Sequence, residues 1–249
     1  HPHRNEIMGG TGLVEGGTFV AILGGQLTAG IIPAWEAGVL AMGLAAVGFL
    51  ASLAVPSAPP LRDHHKIDWN LWKATREVMQ SARHGRGVWL SILGISWFFA
   101  CGAVLVSEFA PLVSGRLGAR QEVATLFLVV FSLGVAGGSL IVNRLLGGEV
   151  SARWVPLSAL FLALGMIDLW LSSRGFSVRT AGASVEQFVA TPGAIRILID
   201  LGVIAFAGGV FIVPLYAILQ VHSPPEERSR IIAANNILNA GVTVLVVLA

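Results

Sequence analysis

The amino-acid sequence predicts an all-α fold, a polytopic membrane helix bundle with about seven transmembrane helices, and three observations carry that prediction. Of the 249 residues, 55% are hydrophobic and only 12% charged, with a mean hydropathy of +0.77. A water-soluble domain carries about twice that charge fraction. The apolar residues gather into runs near 8–32, 35–55, 88–113, 122–146, 154–172, 195–220 and 231–249. Each run is close to the ~20 residues a helix needs to cross a bilayer, whereas barrel strands would be about half as long and would alternate. Finally, Trp35, Trp89, Trp154 and Trp170 sit near the ends of runs, where an interfacial aromatic belt would place them.

Taken in order, the first run separates into two faces. Gly17, Ala21 and Gly24 share one, which Thr28 continues, and small residues at that spacing let helix backbones approach in lipid. Glu15, Thr18 and Gln26 share the other. Ionisable and amide groups inside a span are costly, so this face suits either a polar cargo or a structural partner such as an arginine. The second run repeats Ala37, Ala41 and Ala45 after a tight turn at Trp35-Glu36.

Residues 56–87 form the connector. Pro56, Pro59 and Pro60 end the second run, and Gly85 and Gly87 release the chain into the third. Between them lie Arg62, Lys66, Lys73, Arg76, Arg83 and Arg86, six of the sixteen Lys and Arg residues. As a helix, 68–83 places Leu71, Trp72, Thr75, Val78, Met79 and Ala82 opposite Asn70, Lys73, Arg76, Glu77, Gln80 and Arg83. That pattern predicts a helix lying in the plane of a membrane surface.

The third run holds Trp97, Phe98 and Cys101, and brings Glu108 close to its far end, just before Pro111. The fourth repeats glycine at Gly134 and Gly138 and ends at Arg144. Asp168 lies late in the fifth, within snorkelling reach of the interface. In the sixth, Arg196 and Asp200 form an i,i+4 pair expected to face headgroups, and Pro214 suggests a bend. The seventh carries Asn235, Asn236 and Asn239, with Asn235 and Asn239 on one face. Buried amides need partners, either on a neighbouring helix or on a polar headgroup.

Counting cations by side gives orientation. Arg4, the six connector cations, Arg144, Arg153, Arg228 and Arg230 make eleven on the connector's side, against five at Arg116, Arg120, Arg174, Arg179 and Arg196. The positive-inside rule then puts the connector in the cytoplasm. The single cysteine, Cys101, excludes an intrachain disulfide, and the six histidines lie outside the runs without metal-ligand spacing. No glycine loop precedes a lysine to cradle phosphate, so no catalytic residue, metal or cofactor is expected. The N-terminal His1-Pro2-His3 is no signal peptide, and the last run stops abruptly at Ala249, so a fragment of a larger protein is expected.

Two helices, a long basic connector and then further helices resemble the midpoint of the major facilitator superfamily. On that resemblance 1–55 would be the last two helices of an N-terminal bundle, 56–87 the cytoplasmic connector, and 88–249 the first five helices of a C-terminal bundle. The chain would thus hold helices five to eleven of twelve. Gly138–Glu149 is similar to the superfamily's glycine and arginine loop, with Asn143 where an aspartate is usual before Arg144. Several stretches are similar to the bacterial lysophospholipid transporters within it. They are Leu13-Val14-Glu15-Gly16-Gly17-Thr18-Phe19, Gly94-Ile95-Ser96-Trp97-Phe98, Val123–Ser139, Val213-Pro214-Leu215-Tyr216, Ser223-Pro224-Pro225-Glu226-Glu227-Arg228 and Ala233-Ala234-Asn235-Asn236-Ile237-Leu238-Asn239.

That resemblance implies transfer of lysophospholipid from the outer to the inner leaflet of the bacterial inner membrane for reacylation. It also implies membrane lipid and an acyltransferase, fused or associated, as partners. The transport path would draw on Glu15, Thr18, Gln26, Trp97, Glu108, Asn235 and Asn236, with Arg144, Arg228 and Arg230 in the cytoplasmic gate loops. Two other functions fit the same residues. One is proton-coupled carriage of a small soluble solute through Glu15; the other is a membrane module serving a fused acyltransferase/synthetase enzyme.

Overall fold

The computed structural model describes residues 32–55, 71–83, 85–176 and 182–248, together with some residues between 10 and 28, which are helical. Six helices among the described residues are long and apolar enough to cross a membrane. We number the helices α1 (Ala34–Leu53), α2 (Leu71–Arg83), α3 (Arg86–Ser107), α4 (Gln121–Leu145), α5 (Val155–Arg174), α6 (Val185–Val189), α7 (Ala194–His222) and α8 (Arg228–Val247). Their ends fall within a few residues of the apolar runs, and the protein is a multi-pass helical membrane protein.

Helix α7 is the centre of the bundle. It is apolar on every side, and Ala207 through Leu215 are buried without a break, the pattern of a helix enclosed by others. Helices α4, α5 and α3 pack around it, and α8 closes on α3. The helix is continuous through Pro214, which is itself buried. Helix α1 stands apart, with no residue of its span buried against the described chain.

Glycine sets the closest of these contacts. A Cβ on Gly138 of α4 would fall on the carbonyl oxygen of Phe206, and one on Gly209 of α7 on that of Val135. The predicted Gly134–Gly138 face is therefore where two backbones meet in lipid. In the first segment the packing residue is Gly16 rather than Gly17. Gly16 is buried, with a Cβ position 3.6 Å from the Ala136 carbonyl and the Leu140 side chain, whereas Gly17 is exposed with open space around it. The periodic face read from 17, 21 and 24 did not locate that neighbour.

Helix α2 also has protein contacts that its stripe alone did not reveal. Its apolar face turns towards protein: Ala82 is fully buried, Val78 and Met79 pack against the core, and the helix lies on α8 and α3. An amphipathic stripe suits a helix surface as well as a lipid surface, and here the helix ends supply the partner. Arg230 on α8 donates to Glu77 on α2 at 3.2 Å, and the Arg83 guanidinium lies 5.0 Å from the Trp89 ring centre. Glu77→Gln should loosen this docking and speed tryptic cleavage within 71–83 severalfold in detergent-solubilised protein. An unchanged cleavage rate would show that the ion pair, being partly exposed, contributes little.

On the far side, α3 passes through Phe109–Pro111 into a wide π-helical turn at Leu112–Arg116. The loops before α4 and before α6 then pair. The Gly182 N–H donates to the Gly118 carbonyl at 2.8 Å and the Arg120 N–H to that of Ala183 at 3.0 Å. Gly118 (φ 66°) and Gly182 (φ 77°) take left-handed conformations that admit glycine without strain. A capping box at Ser184 and Gln187 starts the five-residue α6.

The i,i+4 pairing expected between Arg196 and Asp200 is replaced by contacts across to α5. Arg196 forms an ion pair with Asp168, its Nε 3.2 Å from Oδ2. Asp200 is buried and accepts a hydrogen bond from Ser172 at 3.0 Å. Because α5 and α7 run antiparallel in contact, the partner 28 residues away is nearer than the one a turn along.

Candidate functional site

A groove of about 780 Å³ opens between α3 and α8. Helix α3 supplies Phe98, Phe99, Gly102, Ala103, Val106 and Ser107, a stripe at helical spacing. Helix α8 supplies Asn236, Asn239, Ala240, Thr243 and Val244, again on one face, and Phe131 of α4 reaches in from behind. Both helices run away from the connector's side, so the amides lie in the nearer part of the groove and Ser107 at its far end. The lining is overwhelmingly apolar, with its polar groups concentrated on α8.

Those groups are linked. Asn235 is buried and its Nδ2 donates to Asn236 Oδ1 at 3.4 Å, while Thr243 Oγ1 donates to Asn239 Oδ1 at 3.4 Å. The Asn235 Oδ1 atom is buried with no hydrogen-bond partner among the described residues. Leaving such an atom unpaired costs about 1–3 kcal/mol, so it is an acceptor open to a partner outside the described residues. Helix α8 thus presents its amides as Asn236 and Asn239 at i,i+3. Asn239 of the expected Asn235–Asn239 face lines the groove, whereas Asn235 is buried behind Asn236 and does not.

The other expected residues are distributed around this groove. Trp97 is next to it, half-exposed, with its ring 5.7 Å from Phe211 and beside a small cavity that shares Phe98, Gly102 and Phe131. Phe98 itself is buried and stacks on Phe211 at 6.1 Å, joining the groove wall to α7. Glu108 is the exposed cap residue of α3, directly after groove-lining Ser107. Thr18 is exposed and donates to the Val14 carbonyl at 2.8 Å, so its hydroxyl is engaged within its own helix. Glu15 and Gln26 lie outside the described residues. Arg144 and Arg228 are exposed at the ends of α4 and α8, and Arg230 is the member of the trio paired with α2. These three are apart from the groove.

Asn239, Thr243, Phe99, Gly102 and Phe131 line the groove without having been singled out as path residues. A signal was present for α8: 236, 239, 240, 243 and 244 form an i, i+3, i+4, i+7, i+8 stripe with three polar members. For Phe131 none was, because it reaches the groove through tertiary packing.

What this arrangement can do chemically is hold an acyl chain along aromatic and aliphatic walls while amides and a hydroxyl meet a polar end. A family model described as Major Facilitator Superfamily matches residues 3–247. The chain belongs to that superfamily. Superfamily transporters bind cargo between helices near the bilayer midplane. Among curated relatives, the chain is 26% identical over 233 residues to the lysophospholipid transporter LplT of Cronobacter sakazakii, covering 90% of this chain and 52% of that protein. It is 27% identical over 240 residues to the LplT of Citrobacter koseri and 25% over 241 residues to that of Escherichia coli O157:H7, each match covering 93% of this chain and 53% of the relative. The chain spans about half the length of the curated relatives it matches. No solved structure matches it significantly.

Proposed function

We propose that this chain is part of a transporter that flips lysophospholipid, with lysophosphatidylethanolamine as substrate, from the outer to the inner leaflet of the bacterial inner membrane for reacylation. The observation that carries this reading is the match of nine-tenths of the chain to transporters named for lysophospholipid. The groove supports it: a single acyl chain suits the apolar stripe on α3, and the phosphate and glycerol suit the amides of α8. Glu15 is assigned to the ammonium, with Thr18, Gln26, Trp97 and Glu108 along the path. In this reading 1–55 closes an N-terminal bundle, 56–87 is the cytoplasmic connector, and 88–249 opens the C-terminal bundle. Arg144, Arg228 and Arg230 line the cytoplasmic gate, and the acyltransferase that consumes the cargo, fused or associated, is the functional partner.

The test is transfer of lysophosphatidylethanolamine across liposomes by the full-length protein. Glu15→Ala and Asn235→Ala should each slow flipping about tenfold, the effect of roughly 1.4 kcal/mol of lost interaction. Normal rates in both variants would remove these site assignments. Uptake that follows an imposed proton gradient and ignores lysolipid would replace the flippase by a solute carrier.

A further inference from the structure

A second groove, of about 470 Å³, lies on the opposite side of α7, away from the amide stripe. Its floor is the face of α7 from Ile199 through Val203 and Phe206 to Val210, and its walls are Leu157 and Phe161 of α5 and Leu145 at the end of α4. Ile199, Val203 and Phe206 are exposed although they belong to the most enclosed helix. From Ile199 to Val210 the floor measures ~16 Å at 1.5 Å per residue. That is about half the ~30 Å hydrocarbon core, the length of one acyl chain, and the floor straddles the middle of α7.

The end of the groove on the connector's side is built differently. Trp154 closes it, donating its indole N–H to the Leu145 carbonyl at 3.2 Å and so tying α5 to α4. The Arg153 guanidinium lies 5.9 Å from the Trp154 ring centre and is exposed, and exposed Arg144 ends α4 on the same rim. Glu149 is the one carboxylate in the intervening loop, so the rim is net positive. A channel as long as an acyl chain, apolar along its length and cationic at its connector-side end, has the polarity of a phospholipid with an anionic headgroup. We propose that this groove is a binding site for an anionic diacyl phospholipid of the leaflet on the connector's side, its acyl chain along α7 and its phosphate on Arg153. The site is separate from the transport path and independent of which cargo the α3–α8 groove carries.

The full-length protein is reconstituted in phosphatidylcholine vesicles and titrated with phosphatidylglycerol brominated on its acyl chains. The Trp154 signal is the fluorescence difference between the protein and its Trp154→Phe variant. Half-maximal quenching is expected at a phosphatidylglycerol fraction well below that needed with brominated phosphatidylcholine. Arg153→Gln, an exposed change that leaves the packing intact, should raise that fraction about fivefold, as loss of one cation near a headgroup predicts. Equal titration by both lipids, no response to Arg153→Gln, or no quenching by either would overturn the site. Preferential quenching by brominated lysophosphatidylethanolamine would also overturn it, by making the groove part of the cargo route.

Discussion

Gly138→Leu is expected to prevent the bundle from assembling, whereas Gly137→Ala, one position away, should be nearly silent. At 138 any side chain meets the Phe206 carbonyl group and the Val210 nitrogen, which are backbone atoms of the central helix and cannot rotate aside. At 137 a Cβ would sit 3.7 Å from the Phe206 ring, an ordinary contact. Overpacking a core usually costs about 1–3 kcal/mol, and a clash between backbones should exceed that range because α4 and α7 must separate along their whole contact. The measurement is the yield of monodisperse protein and its thermal midpoint in detergent. Equal midpoints for wild type and Gly138→Leu would show that the α4–α7 crossing is wider than described.

The second large effect is expected on transport. Replacing Asn236 and Asn239 together by leucine keeps the volume of the α8 stripe but removes its amides from the groove. Flipping of lysophosphatidylethanolamine should fall by about a hundredfold, as two lost charge-assisted hydrogen bonds of ~1.4 kcal/mol each predict. The thermal midpoint should fall by only a few degrees, since Asn235 Nδ2 loses its Asn236 acceptor and Thr243 Oγ1 its Asn239 acceptor while leucine is at home in lipid. Flipping that persists at the wild-type rate with a stable fold would place the headgroup elsewhere.

Much of the architecture was legible because lipid leaves few solutions. Runs near twenty residues long can only be helices, and the ends of the six runs after the first were found to within a few residues, as was the end of the connector helix at Arg83. The glycine pair on α4 was legible for the same reason, since close backbone contact leaves few side chains to choose from. Which neighbour each face meets was not. Gly16 rather than Gly17 touches α4, Arg196 pairs across to Asp168, and α2 makes contact with α8 and α3. Helical periodicity reports the direction of a side chain around its own axis and carries nothing about the element standing there. The site divided along the same line: the amide cluster was readable, but the burial of Asn235 behind Asn236 depended on tertiary packing.

The arrangement around α7 also bears on how the protein is made. Helices α4 and α5 follow one another in the chain, yet each finds its main packing surface on α7, which emerges from the ribosome later. During synthesis the pair must therefore wait in the bilayer as loosely associated segments, with Gly134 and Gly138 unmatched, until residues 194–222 have been inserted between them. Nascent chains stalled before that point should remain open to insertase and quality-control proteases, and protection should arrive in a single step as α7 enters.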